Sequence, residues 1–214
     1  MKVRRVIHDA IDRTLLQKSN SAQEKTLAIL FSDTRSFIAF SERHPAYDIV
    51  YIFIRYFLSC GESVLKNQGR IDKYIGDGLM AIFGLEGHAH PAQLTYVAAL
   101  DMLSALEDFN EYRGTVYDEH FEIGIGIHYG PVVVGDLGHP AMTRFTAIGD
   151  TVNGAARVEA ATKGNSARLV SEQVYAALPE TGWAPHITPV KGKSPPLTLY
   201  APPVGDIGIG STES

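Results

Sequence analysis

Asp33 and Asp77 are the two side chains of this sequence best suited to chemistry. Asp33 follows an apolar run at 26–32 (TLAILFS) that reads as a buried strand, and a short helix at 36–41 comes soon after it. Open backbone N–H groups gather where a strand passes into a helix N-terminus, and phosphates bind there. Asp77 lies in a Gly-Asp-Gly turn within 70–84 (RIDKYIGDGLMAIFG), a stretch that reads as a β-hairpin. Each residue has a plainer reading on its own, Asp33 as a helix cap and Asp77 as a turn former. Together they stand on neighbouring strands, where paired carboxylates suit two Mg²⁺ (or Mn²⁺) ions about 3.5–4 Å apart in a phosphoryl transfer.

Lys73 adds a charge where none is expected. Strict alternation puts it with Ile71 and Ile75 on one face of the first hairpin strand. A lysine snorkelling from an edge strand is the ordinary explanation. Asn153 and Arg157 are four apart on a helix capped by Asp150, so they share a face. By themselves they are an unremarkable surface pair. Lys191 and Lys193 flank a glycine in a late turn, a common setting for solvated lysine. Cys60 falls between Leu58 and Val64 at helical spacing and reads as core filler. His88 and His90 lack a third ligand nearby and read as a solvated loop rather than a zinc site.

The elements that must position these groups follow from patterning. After the strand at 26–32 and its short helix, Pro45 opens a long helix to about Gln68 that is apolar on most of its circumference. One face would pack on a sheet, and the other needs further cover. The hairpin follows, then a helix from Pro91 to about Tyr112. Residues 121–129 (FEIGIGIHY) alternate apolar residues with glycine and read as a strand. A tight Gly130–Pro131 turn should separate it from a strand at 131–135. A strand at 144–149, a helix from Asp150 to about Thr162, a strand at 168–171, a helix at 172–178 and a hairpin of 186–190 with 197–200 complete the series. The order β-α-β-β-α-β with later additions predicts an α+β sandwich with a ferredoxin-like core and added C-terminal αβ elements.

The length of 214 residues fits one domain with appendages. Residues 1–24 read as a helix or linker leading in from a regulatory domain, or equally as a frayed terminus. The folded unit spans 25–203, and 204–214 form a Gly/Ser-rich, disordered tail. The hydrophobic share of 45% and charged share of 20% are ordinary for a globular protein with a full core. A net charge of −5 argues against nucleic acid as a partner. No run approaches the roughly 20 apolar residues of a membrane span. One cysteine and an N-terminus without an apolar signal core give a cytoplasmic expectation.

Five blocks in order carry a resemblance. LAILFSDTRSF, DKYIGDGLMAIFG, FEIGIGIHYGPVVVGDLG, RFTAIGDTVNGAARVEAAT and VKGK are similar to the class III nucleotidyl cyclase catalytic domain. The similarity runs over about 26–202. It implies the nucleotide cyclase fold and a head-to-tail homodimer with an ATP site at each end of the interface. It makes Asp33 and Asp77 the metal carboxylates, with the carbonyl of Thr34 also on a metal. It implies that backbone amides of 34–37, including those of Ser36 and Phe37, cradle the β- and γ-phosphates. Lys73 and Thr146 fall where the family reads the base, Asn153 where the ribose is oriented, and Arg157 where the α-phosphate is stabilised. Lys191 matches the phosphate-contacting lysine, with Lys193 a close competitor.

Two departures bear on function. Many family members carry Gly and Thr where this chain has Ser36 and Ile38, positions that mainly supply backbone. Adenylyl cyclases often pair the base-reading lysine with Asp, whereas Thr146 stands here, as in the subgroup that includes bicarbonate-responsive cyclases. Guanylyl cyclases instead use Glu and a small residue such as Cys. The resemblance therefore implies an adenylyl cyclase that converts ATP to cyclic AMP, with two divalent ions per site. Because a threonine hydroxyl both donates and accepts, looser base selectivity than with Asp is expected.

Overall fold

The computed structural model describes residues 22–35, 37–114, 120–139, 142–163, 167–179, 182–188 and 197–202. Residues 1–21 of the expected lead-in segment at 1–24, Ser36, Lys191, Lys193 and the tail lie outside the described residues, and Gln23 and Glu24 of that segment belong to a strand instead.

Among these residues eight strands form one sheet, flanked by helices on both faces. The strands are β1 (Gln23–Thr34), β2 (Gly69–Ile75), β3 (Gly78–Phe83), β4 (Ile123–His139), β5 (Met142–Ile148), β6 (Arg168–Ser171), β7 (Pro185–Thr188) and β8 (Leu197–Tyr200). The helices are α1 (Phe37–Arg43), α2 (Ala46–Lys66), α3 (Pro91–Gly114), α4 (Asp150–Ala161) and α5 (Glu172–Tyr175). Strand order is β2-β3-β1-β4-β6-β8-β7, with β5 paired to the outer half of β4. The first four strands, with β1 antiparallel to both β3 and β4, make the expected βαββαβ core. β6, β8 and β7 extend it at one edge.

Alternation assigns the two faces. Ala28 and Leu30 of β1, Leu79, Ala81 and Phe83 of β3 and Ile123, Ile125 and Ile127 of β4 face α2 and α3. Leu27, Ile29, Met80, Ile82, Val132 and Val134 face the other way, toward β5 and Ala155 of α4. Each fully buried side chain of this size contributes about 1.5–3 kcal/mol relative to exposure. α2 buries Ile52, Tyr56, Cys60 and Val64 at four-residue spacing. Its opposite stripe of Tyr47, Val50, Tyr51, Ile54, Leu58 and Leu65 stays exposed. Pro45 at the N-cap has φ −60°, and Asp48 in the first turn and Lys66 in the last both suit the helix dipole.

Three expectations are corrected. First, β2 is not regular. Ile71 pairs with Ala81, but Lys73 pairs with Met80, so Asp72 is an extra residue in a β-bulge. Ile71 therefore packs under α2 while Lys73 lies on the opposite face with β5. Second, β4 has no turn at Gly130–Pro131. It runs on for 17 residues because both sides are paired there: Pro131 sits opposite Thr26 of β1, and Val133 opposite Ile148 of β5. Third, Asp150 does not cap α4. Gly149, at φ 144°, is the cap residue, and Asp150 is the first helical position.

Candidate active site

The end of β1 and the β2–β3 turn bring Asp33, Thr34 and Asp77 together. The Thr34 hydroxyl donates to Asp77 Oδ2, and the Asp33 and Asp77 side chains are near enough to interact. The turn closes this tightly because residue 78 is glycine. A Cβ there would strike the Ser32 carbonyl oxygen and come within 3.3 Å of Asp33 Oδ1. Burial is the main cause that raises the Asp33 pKa, and the adjacent Asp77 charge adds to it. Lys163, with Nζ 3.9 Å from Asp33 Oδ2, and Arg35 pull the other way.

Arg35 belongs to this group, and the sequence reading missed it. Its backbone N–H donates to the Glu122 carbonyl at 2.8 Å. Its guanidinium lies 3.4 Å from Glu159 Oε1 and donates to the Thr162 hydroxyl, spreading over Gly124 where any side chain would collide. Glu159 has a raised pKa, from burial first and the Asp33 charge second, with Arg35 and Lys163 opposing. Glu159, Thr162 and Lys163 were also missed, since more than a hundred residues separate them from Arg35. The available signal was the alternating glycine of 124 and 126, which leaves a strand face bare for something to cover.

Lys73 and Thr146 meet in a second cluster, where β5 lies over β2. Thr146 Oγ1 donates to Asp72 Oδ2 at 2.7 Å, and Lys73 Nζ lies 3.0 Å from the same oxygen. The Asp72 side chain is 0% exposed, against 34% for Lys73. Arg70 stacks 4.7 Å over the Phe145 ring and pins β5 to β2 alongside. Asp72 too was missed by the sequence reading. Its signal was an acid and a base side by side in a strand.

Asn153 is exposed on α4, one turn before Arg157. Arg157 Nη1 is 3.6 Å from Asp150 Oδ1 at the start of the same helix. Phe37, the first residue of α1, packs its ring edge-on against Phe53 of α2 at 4.2 Å between centroids. Cys60 is buried, and burial pushes its thiol up to about 12. Among the described residues no group of three or more His, Cys, Asp or Glu could hold a metal. The Asp33–Asp77 pair remains as a two-carboxylate donor set.

The whole assembly matches known proteins. Residues 19–200 fit the family model described as the adenylate and guanylate cyclase catalytic domain. The chain belongs to that family, in class III of the nucleotide cyclases. It is 36% identical over 191 residues to an adenylate cyclase of Anabaena cylindrica, covering 84% of this chain and 37% of that protein. The chain thus spans little more than a third of that relative's length. Among solved structures, the adenylyl cyclase CyaB from P. aeruginosa is similar at TM-score 0.74 and 27% identity, over 84% of this chain and 94% of that one. The guanylyl cyclase Cya2 is similar at TM-score 0.76 and 26% identity, over 84% and 92%. Among the described residues no helix is long and apolar enough to cross a membrane.

Proposed function

We propose that this domain is an adenylyl cyclase that converts ATP to 3′,5′-cyclic AMP and pyrophosphate. The observation that carries a metal-assisted reading is the Asp33–Asp77 pair. The Asp77 charge, with burial, disfavours the charged form of Asp33, and a divalent cation relieves that repulsion. Mg²⁺ or Mn²⁺, two ions per site, would be held by Asp33, Asp77 and the Thr34 carbonyl, and would supply Lewis-acid activation of the 3′-hydroxyl and neutralisation of the triphosphate. Arg157 would neutralise charge on the α-phosphate, and Asn153 would orient the ribose. Amides near Ser36 and Phe37, with Lys191, would hold the β- and γ-phosphates. Lys73 would donate to adenine N1 and Thr146 would accept from the 6-amino group. Guanine presents an N1–H to Lys73, leaving two donors face to face.

Similarity to the named adenylyl cyclases and the meeting of Lys73 with Thr146 support ATP as substrate. A homodimer would then complete each site from two chains. The test is turnover with Mn²⁺–ATP and Mn²⁺–GTP. Cyclic AMP formed in excess of cyclic GMP is the expected result. Predominant cyclic GMP would make the domain a guanylyl cyclase, and absence of both products would make it a nucleotide-binding regulatory module.

A further inference from the structure

The preference for adenine in this reading hangs on one hydroxyl, and a hydroxyl is ambivalent. Adenine carries a donor at its 6-position and guanine an acceptor, and a threonine can serve either by rotating its proton. We propose that Asp72 is a specificity-determining positioning residue that takes the Thr146 proton and leaves Thr146 facing the purine as an acceptor only. The proposal rests on the reading that Lys73 and Thr146 meet the base.

The geometry carries it. A carboxylate oxygen is an acceptor, so the 2.7 Å contact between Thr146 Oγ1 and Asp72 Oδ2 uses the threonine proton. The oxygen lone pairs are then all that Thr146 can offer a ligand. Asp72 Oδ2 also takes Lys73 Nζ at 3.0 Å, so both base-facing residues share one anchor atom. A lysine has three N–H donors, which leaves Lys73 two for a ligand. The bulge in β2 turns Asp72 toward β5, where its side chain is wholly shielded from solvent. Asp72 Oδ1 is buried with no hydrogen-bond partner among the described residues. Such a group is expensive to keep, and packing alone would be better served by an apolar residue. Guanine would meet two mismatches: its N1–H against Lys73 and its O6 against the Thr146 lone pairs.

The experiment compares kcat/KM for ATP and GTP in the wild type, Asp72→Asn, Asp72→Ala, Thr146→Val and the double variant Asp72→Asn/Thr146→Asp. This ratio does not depend on the folded fraction of a preparation, so partial misfolding leaves it interpretable. Asp72→Ala should lower the ATP-over-GTP ratio about ten-fold, the size of one donor–acceptor mismatch, and Asp72→Asn, whose amide oxygen can still accept the Thr146 proton, should lower it less. The double variant should regain ATP preference, because a carboxylate at position 146 accepts without help; a packing defect at position 72 would not be rescued in this way. If Thr146→Val shifts the ratio while both Asp72 variants leave it unchanged, Asp72 does not set specificity and the base-reading role of Thr146 stands. If Thr146→Val itself leaves the ratio unchanged, the base-reading assignment fails.

Discussion

Asp33 is pulled in two directions. Burial and Asp77 raise its pKa above the ordinary 3.8, while Lys163 and Arg35 oppose the rise. Glu159 is raised in the same way, by burial and then by Asp33. A carboxyl with a raised folded-state pKa binds its proton more tightly folded than unfolded. Its favourable contribution is present at low pH and lost as pH climbs through the raised value. In chelator, Asp33→Asn should therefore melt progressively higher than wild type as pH rises above 3.8; a constant difference in melting temperature across that range refutes the argument. With Mn²⁺ at about 100 times its Kd, wild type should gain roughly 2.7 kcal/mol, and Asp33→Asn little of it. Turnover in the variant should fall by about a hundred-fold or more. Lys73→Glu should lower ATP use and move relative preference toward GTP, because Glu accepts where guanine N1 donates. Equal cyclic AMP to cyclic GMP ratios before and after would remove Lys73 from base reading.

At the level of elements, β4 does most of the positioning. Gly124 makes room for the Arg35 guanidinium, and at Gly126 the backbone of Glu159 in α4 presses directly on the strand. Gly126→Ala would drive its Cβ into that backbone, with Glu159 Cα at 2.5 Å and the Val158 carbonyl carbon at 2.7 Å. It should cost about 1–3 kcal/mol and displace the Arg35–Glu159 pair, read as a lower denaturation midpoint together with lost turnover. Gly76→Ala is the control: nothing lies within 4 Å of its Cβ, and only the positive φ of 60° is strained. This contrast also shows what could be read in advance. The runs at 26–32 and 79–83 announce their strands because apolar residues there have only a buried place to go. Asp33 and Asp77 were legible because strand end and turn chemistry are local. Asp72 was not, since alternation assumes one residue per pleat and a bulge breaks that count. Gly130–Pro131 reads as a turn, yet pairing to β1 and β5 overrides the local preference. Arg35 with Glu159 is a tertiary contact with no local trace.

Across the whole molecule, the candidate groups fall into separate clusters. Asp77, Lys163, Arg35 and Glu159 gather around Asp33, whereas Arg157 is tied to Asp150 of its own helix. If two chains share each site, Asp33→Ala and Arg157→Ala proteins should each be inactive, and mixing them should restore activity. A mixed dimer holds one site with both lesions and one with neither. With random pairing about half the dimers are mixed, so recovery should approach roughly a quarter of wild-type activity. Specific activity should also fall on dilution as dimers part. If light scattering shows mixed dimers and the mixture stays inactive, each site belongs to one chain.

The bulge at Asp72 has a consequence for heredity and for engineering. A regular strand sends neighbouring residues to opposite sides. Here the extra residue lets Asp72 and Lys73, adjacent in the chain, serve the same side. The acid and the base therefore travel as a dipeptide cassette. Counted back from the hairpin turn, Lys73 pairs with Met80 whether or not the bulge is present; in a relative with an unbulged strand it is an acid at position 72, set opposite Ala81, that would go to the face packed by α2 and α3. If Lys73 reads the base and Asp72 sets Thr146 as proposed, the graft that carries base preference is Asp72 and Lys73 together, with the irregular spacing that brings the acid to the side of the base.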